Sequence, residues 1–486
     1  MTLDSHTTQA RPGTKHPVSA PRRQACECKH QALDVAGVVR ALPERSTCFV
    51  AQAPGWLDVM GGLGDYSGSL VLSMPIGGQV CVAVQATTKP EFTIAQVDEV
   101  GKLRGERWSR PMAHFFDGEG SAIDATTAVE RLAPSRIEAC LVGAVVELLR
   151  AGVIKPITGG LSVAVRSDLH NGCDVGNDAA YVAALLCAVT AAFDRTLELP
   201  DAALICQRVA NDWLARPIGI ADATCTLAGE TNSVNAVRCE PCQKIGVVGL
   251  SEQLTILGID TGARRADAAL RYERVRTASF MGRALIDIIR CHEAVDAGER
   301  NGYLSHITVA QYVEGLRDRL PTKLLGGEYL DRFGETGDPL TRVDPAHAYR
   351  IRSRTEHHIY EHARAAAYYE VLARAVSEND RAAAGEIGEL MYASHWSYGQ
   401  RCGLGSVEAD FLVSILRKFG TGADVFGART AGRGCGGLVC VLMANSEKAQ
   451  HAIRLAVEAA AKKFGHEPQV LGDSASGALV RGAQRV

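Results

Sequence analysis

Ala53-Pro-Gly-Trp-Leu-Asp-Val-Met-Gly-Gly-Leu-Gly-Asp-Tyr-Ser-Gly-Ser-Leu-Val-Leu-Ser-Met-Pro-Ile76 is the stretch whose reading decides the fold. It continues the run Cys48-Phe-Val-Ala-Gln-Ala53 into Pro54-Gly55, breaks at a cluster of glycines, and resumes with Leu-Val-Leu at 70–72. A further segment, Val80 to Gln85, alternates apolar and polar residues. Apolar residues with period two, punctuated by glycine and proline, predict short strands separated by glycine turns.

Outward from this stretch, Pro134 to Gly152 carries apolar residues at helical spacing and ends in Ala-Gly, a helix with a glycine stop. Leu161 to Val165 alternates as a strand, and Asp178 to Phe193 is apolar on most sides, which predicts a buried helix. Gly172-Cys-Asp-Val-Gly-Asn177 leads into that helix. A glycine-bearing loop at a helix start offers backbone amides to an anion, and the same composition also makes an ordinary turn; both readings are open at this point.

The second half alternates expected helices (268–296, 307–319, 356–376, 380–392, 407–418, 446–463) with strands near 255–260 and 437–443, and contains no internal repeat. Thr430-Ala-Gly-Arg-Gly-Cys-Gly-Gly437 stands directly before Leu438-Val-Cys-Val-Leu-Met443. So many glycines serve close backbone approach or positive-φ turns, here against a strand buried on both faces.

The 486 residues exceed what one hydrophobic core usually organises, so two packed lobes are expected. An apolar fraction of 47 %, a charged fraction of 22 % and 49 glycines describe a globular, turn-rich chain. The formal net charge of -3 and the lack of a concentrated basic face argue against a nucleic-acid partner. Neither a signal-peptide h-region nor a membrane-length apolar run occurs, so no membrane role and a cytoplasmic location are expected. The 15 cysteines read as scattered thiols in a reducing compartment; Cys239 and Cys242 form one CxxC pair without a second, and Cys26, Cys28 and His30 lie in a polar leader.

Three ordered segments resemble those that mark the GHMP-type small-molecule kinases: the opening stretch 53–76, the loop and helix start Asp174-Val-Gly-Asn-Asp-Ala179, and the glycine turn 430–437. Within that family the chain is similar to the sugar-kinase branch, nearer the arabinokinase group than the galactokinase group. Met60-Gly-Gly62, Asp65-Tyr-Ser-Gly-Ser-Leu-Val-Leu72, Tyr272-Glu-Arg-Val-Arg276, Gly327 to Gly334, His357 to Glu361 and Ser394-His-Trp-Ser397 extend the likeness over about 48–465.

The resemblance implies an α/β (α+β) fold of two lobes, an N-terminal ribosomal-S5-like lobe at 46–250 and a C-terminal ferredoxin-like lobe at 251–470, flanked by a mobile leader at 1–45 and a tail at 471–486. It implies nucleotide phosphates at Gly172, Asp174, Gly176, Asn177 and Asp178 and at Gly432, Gly434 and Gly436. It places a sugar against Asp65, Tyr66, Tyr272 and Trp56. Asp222 stands where the family has its catalytic base, and a carboxylate there also suits a cap for the helix that follows.

Three positions depart from the family pattern. The serine cluster of the second segment, one hydroxyl of which serves magnesium, is replaced by Gly176-Asn-Asp178; the magnesium glutamate, twelve residues before Asp222, is Ala210; and the arginine of the opening Ala-Pro-Gly-Arg is Trp56. Without a metal, Asp174 and Asp178 would repel a triphosphate; with one, Asp178 would be its carboxylate ligand. Arg166, Arg216 and Arg433 are candidates for a relocated cation. The implied function is an ATP- and Mg2+-dependent sugar 1-kinase acting on an arabinose- or galactose-like sugar, as a monomer or weak dimer. The alternative is a pseudokinase that kept the fold in a sugar-sensing role.

Overall fold

The decisive stretch folds as one long hairpin in the computed structural model, which describes residues 35–44, 46–292, 302–434 and 437–486. Strands β1 (Phe49–Met60) and β2 (Leu70–Thr87) pair antiparallel from Phe49↔Val84 to Met60↔Leu72. They are longer than the short strands expected, because Pro54-Gly55 does not end β1. The register slips between Pro54↔Gln79 and Gly55↔Ile76, leaving Gly77 and Gly78 as extra residues of β2. A bulge is where a strand tolerates a proline that cannot donate.

The N-terminal lobe adds α1 (Val35–Arg40), β3 (Glu91–Gln96), β4 (Trp108–Pro111), α2 (Ala125–Leu132), α3 (Arg136–Arg150), β5 (Gly160–Ser167), α4 (Asn177–Ala192), α5 (Leu199–Arg208), α6 (Ala221–Ala228), β6 (Ser233–Arg238) and β7 (Gln243–Gly249). The sheet runs β1-β2-β5-β3-β4, with β6 and β7 branching from the first half of β2; among the described residues only β3 and β5 pair parallel. Helix α4 is buried without a break from Asp178 to Thr190, as its uniform apolarity requires. Helix α1 lies within residues assigned to the leader: Val38 and Leu42 pack on Cys48, Val50 and Cys81, so the folded part begins earlier than expected.

The C-terminal lobe comprises β8 (Leu254–Asp260), α7 (Ala268–His292), α8 (Gly326–Phe333), α9 (Ile351–Ser377), α10 (Arg381–Ser397), α11 (Val407–Phe419), β9 (Val425–Thr430), β10 (Leu438–Ala444), α12 (Glu447–Phe464) and β11 (Gln469–Leu471). Its antiparallel sheet runs β9-β10-β8-β11. The helix expected at 307–319 is instead a chain of short turns, Leu304–His306, Val309–Gln311, Tyr312–Leu316 and Arg317–Arg319. Residues set apart as a tail dock on the first lobe: Ala478 is buried beneath α4 and α6, and β12 (Gln484–Arg485) extends the large sheet beside β1.

The lobes share one core. Leu57, Val59 and Leu72 of the hairpin meet Ile256, Tyr368, Met391 and Leu438 of the second lobe in a single apolar cluster, which fixes the loops of one lobe against the other. Among the described residues no helix is long and apolar enough to cross a membrane.

Candidate functional site

The three family-like segments converge on one arginine. Arg433, from the turn between β9 and β10, donates its backbone N–H and Nη1 to Asp174 Oδ2 and Oδ1, each at 2.6 Å, and its Nη2 to Asp222 Oδ2 at 2.8 Å. Burial destabilises the cation, but these two carboxylates outweigh that cost and hold Arg433 protonated. Asp174 sits at φ 65°, a left-handed conformation that its short polar side chain tolerates, and this aims both of its oxygens at the turn. Gly432 has to be glycine: φ is 63°, and a Cβ would lie 2.5 Å from Asp174 Oδ2.

Asp222 is the second residue of α6, within its first turn and buried, with Oδ1 accepting the Ala223 N–H at 2.9 Å. Burial raises its carboxyl above the ordinary range, with Arg433 and then Arg216 pulling the other way. Asp65, in the glycine turn after β1, packs against Gly219 just upstream of α6. Burial first, then the neighbouring Asp222, pushes the Asp65 carboxyl up to about 7, against the pull of Arg433.

A folded pKa above the unfolded value of about 4 means that the folded state holds this proton more tightly, so stability falls as pH rises from about 4 to about 7 and levels off above. Asp65→Asn removes that loss. The variant is expected to gain more thermal stability at pH 8 than at pH 5 relative to the parent, measured by thermal denaturation at both; equal changes at the two pH values would show that Asp65 is not the titrating group.

Tyr272 is buried and lies edge-on to Tyr66, ring centroids 6.0 Å apart, and the Asp65 charge acts on its hydroxyl. Tyr66 turns its hydroxyl to His358 Nε2 at 2.8 Å while Arg276 stacks on its ring, 4.8 Å from the centroid. Trp56 is 2 % exposed and packs against Val71, Ile220 and Cys225. The structure thus corrects its placement against the sugar: Gly176, at φ 74°, leaves room for the indole directly beneath the loop, and a Cβ there would lie 2.6 Å from Trp56 Cδ1.

Beyond Arg433 opens a cavity of about 580 Å³. Gly172, Asp174, Gly176, Asn177 and Tyr272 line it, together with Arg136, Arg216, Arg264, Arg265 and Arg433. Asn177 is fixed by Asn171 at 2.9 Å, and Arg264 ties Asp260 of β8 to the Asn171 carbonyl. Gly434 packs on Tyr398, and Gly436 lies outside the described residues. A second hollow of about 390 Å³, with Val97, Ile137, Val165 and Tyr181 on its walls, shares Arg136, Asn171 and Asn177 with the first.

Asp178 is bracketed by two arginines. Arg136 Nε and Nη2 reach Oδ1 and Oδ2 at 2.9 and 2.7 Å, and Arg216 Nη1 also pairs with Oδ2. These cations hold the carboxyl below the usual range in spite of its burial. The magnesium expectation meets a site that does not fit: the oxygens of Asp174, Asp178 and Asp222 are engaged by arginine or backbone N–H, and no cluster of three potential ligands occurs among the described residues. Of the three candidate cations, Arg433 and Arg216 stand at the site, whereas Arg166 lines only the second hollow.

Sequence reasoning missed Arg136, which read only as the start of a helix, and a buried network behind the glycine turns. Asp58 accepts from the Gly62 and Gly432 N–H groups and from Arg429 Nη1, each at 2.9 Å. Arg429 also lies 3.8 Å from Glu361, itself held by Arg364 and Ser394, and all three members of the triad are fully buried. The signal available was a charged residue inside each of two apolar strand patterns.

No family model matches the chain. It is 28 % identical to the L-arabinokinase of Arabidopsis thaliana over 489 residues, 90 % of this chain and 47 % of that protein, so it spans about half the length of the curated relative. Among solved structures, a Lactococcus lactis galactokinase in complex with galactose superposes with a TM-score of 0.67 at 16 % identity, covering 90 % of this chain and 95 % of that one. The mevalonate kinase of Methanococcus jannaschii gives 0.53 at 13 % identity, covering 89 % and 99 %. At these identities the structures establish the fold.

Proposed function

We propose, from the premise that this chain has the fold of the GHMP kinases and is related in sequence to L-arabinokinase, that it is a sugar kinase carrying the γ-phosphoryl group of ATP to the anomeric hydroxyl of an arabinose- or galactose-like sugar. The observation that carries this reading is the juxtaposition of the buried Asp222 and the half-buried Asp65 with the Arg433 guanidinium that bridges Asp222 to the glycine loops. A carboxylate with a raised pKa is a stronger base, and Asp222 would take the hydroxyl proton as the phosphoryl group moves. Arg433 orients that carboxylate and supplies positive charge where the phosphoryl group passes, the part that Trp56 cannot play. Asp65 and Tyr272 would hold the sugar, and most of the rate would come from positioning.

The loop from Gly172 to Asp178 and the turn at Gly432 and Gly434 would cradle the phosphates, with the nucleoside extending into the second hollow past Arg136. Magnesium would reach the site on the nucleotide, since the protein offers it no prepared ligand set. The reading has the chain act as a monomer or weak dimer in the cytoplasm, and the twelve described cysteines are free thiols.

A panel of aldoses incubated with Mg-ATP, with sugar phosphate detected directly, tests the reading. Transfer to one aldose, with L-arabinose and D-galactose as leading candidates, is the expected outcome. A sugar that raises thermal stability while no phosphate moves to any aldose would instead leave the sugar-sensing alternative.

A further inference from the structure

We propose that this chain binds the nucleotide's phosphates through a pair of arginines in place of a protein-coordinated metal ion: Arg136 and Arg216, clamped on Asp178, supply the counter-charge at the start of α4. The inference rests on the kinase reading of the same cavity.

Four observations carry it. First, one carboxylate holding two guanidiniums leaves a surplus of one positive charge, the same surplus that one carboxylate leaves on a divalent cation. Second, the pair faces outward. Asp178 is 6 % exposed and lies behind, whereas Arg136 and Arg216 both line the large cavity. Third, each keeps donors in reserve: Arg136 Nη1 and Arg216 Nε and Nη2 make no hydrogen bond within the described structure, and a guanidinium fork suits phosphate oxygens. Fourth, the backbone is arranged for it. The Arg216 N–H donates to the Ala210 carbonyl at 2.9 Å, so the turn that brings Arg216 to Asp178 is anchored at the very residue whose side chain carries no charge. Ser135 begins α3 with a capping box that presents Arg136 at the first helical position.

The two electrostatic outcomes open in the sequence, repulsion of a triphosphate or metal capture by Asp178, therefore give way to a third. The carboxylates at 174 and 178 serve as anchors for cations that meet the anion: Asp178 lies behind Arg136 and Arg216, and Asp174, at the cavity wall, is held by Arg433.

Calorimetric titration of the full chain with adenylyl imidodiphosphate, once in excess magnesium and once in EDTA, tests this. Affinity in EDTA is expected to equal or exceed that in magnesium to within roughly threefold. Arg216→Ala and Arg136→Ala are each expected to weaken it in EDTA by about tenfold to a hundredfold, the range for one charge-assisted contact. Arg136 is 61 % exposed, so its truncation leaves the fold intact and keeps the test sound if Arg216→Ala proves unstable. Arg216→Lys should fall between the two. Binding that needs magnesium and ignores both arginines would overturn the inference while leaving the kinase reading in place. No binding under either condition would overturn both.

Discussion

Asp222→Asn lowers sugar phosphorylation by about a thousandfold while nucleotide affinity changes only a few-fold, if the carboxylate accepts the acceptor's proton. Asparagine has nearly the same shape, and its one oxygen can still accept the Ala223 N–H as Asp222 Oδ1 does at 2.9 Å, while its NH2 group takes the place of the Oδ2 that accepts from Arg433 at 2.8 Å. What it lacks is basicity and the second oxygen that Arg433 holds. The substitution therefore separates the two roles open to a carboxylate at the head of α6, since a helix cap survives it and a general base does not. The measurement is kcat and KM for the responsive aldose, with nucleotide affinity by titration. A variant that keeps more than about a tenth of kcat would sink the base assignment and leave Asp222 as a cap, because loss of a general base costs at least about a hundredfold.

Arg429→Met is expected to cost about 4 kcal/mol of stability, the toll of removing one partner from a buried ion pair. Arg429 is fully buried with Asp58 2.9 Å away on one side and Glu361 3.8 Å away on the other. Methionine fills much of the same volume, so the cost is not a cavity but two carboxylates left in low dielectric, one of which also holds the Gly62 and Gly432 N–H groups. Loss should therefore appear twice, as a lowered denaturant midpoint and as weaker nucleotide binding from a loosened turn at Gly432. Arg417→Met is the control. Its partner Glu389 is 3.2 Å away, but both side chains are more than half exposed, so the change should stay within about 0.5 kcal/mol. Equal effects from the two substitutions would show that the buried network does not hold the lobes' loops together.

The sequence by itself determined most of the elements and their kinds, the helix expected at 307–319 excepted. The period-two pattern at 48–53 and 80–85 and the unbroken apolarity of 178–193 leave little choice locally, and the ordered segments at 53–76, 174–179 and 430–437 carried the family resemblance through to the two-lobed fold. Asp65, read as a sugar contact, lies near enough to Asp222, read as the base, and to Tyr272 for their charges to act on one another. Where local rules misplaced an end, a long-range contact decided: Pro54-Gly55 reads as a turn until a bulge opposite Gly77 and Gly78 absorbs it, and 471–486 reads as a tail until Gln484 and Arg485 pair with β1.

Only the tertiary structure decided which charges face one another. Asp178 read as a metal ligand because its partners, Arg136 and Arg216, are 42 and 38 residues away in the chain, and no periodicity links them. Arg433 reaches Asp222 across 211 residues, and Arg429 reaches Asp58 across 371. Secondary structure is set by neighbours a few bonds apart, which a sequence displays in order. Electrostatic pairing falls off with distance in space, and that distance exists only once the lobes have closed on their shared core.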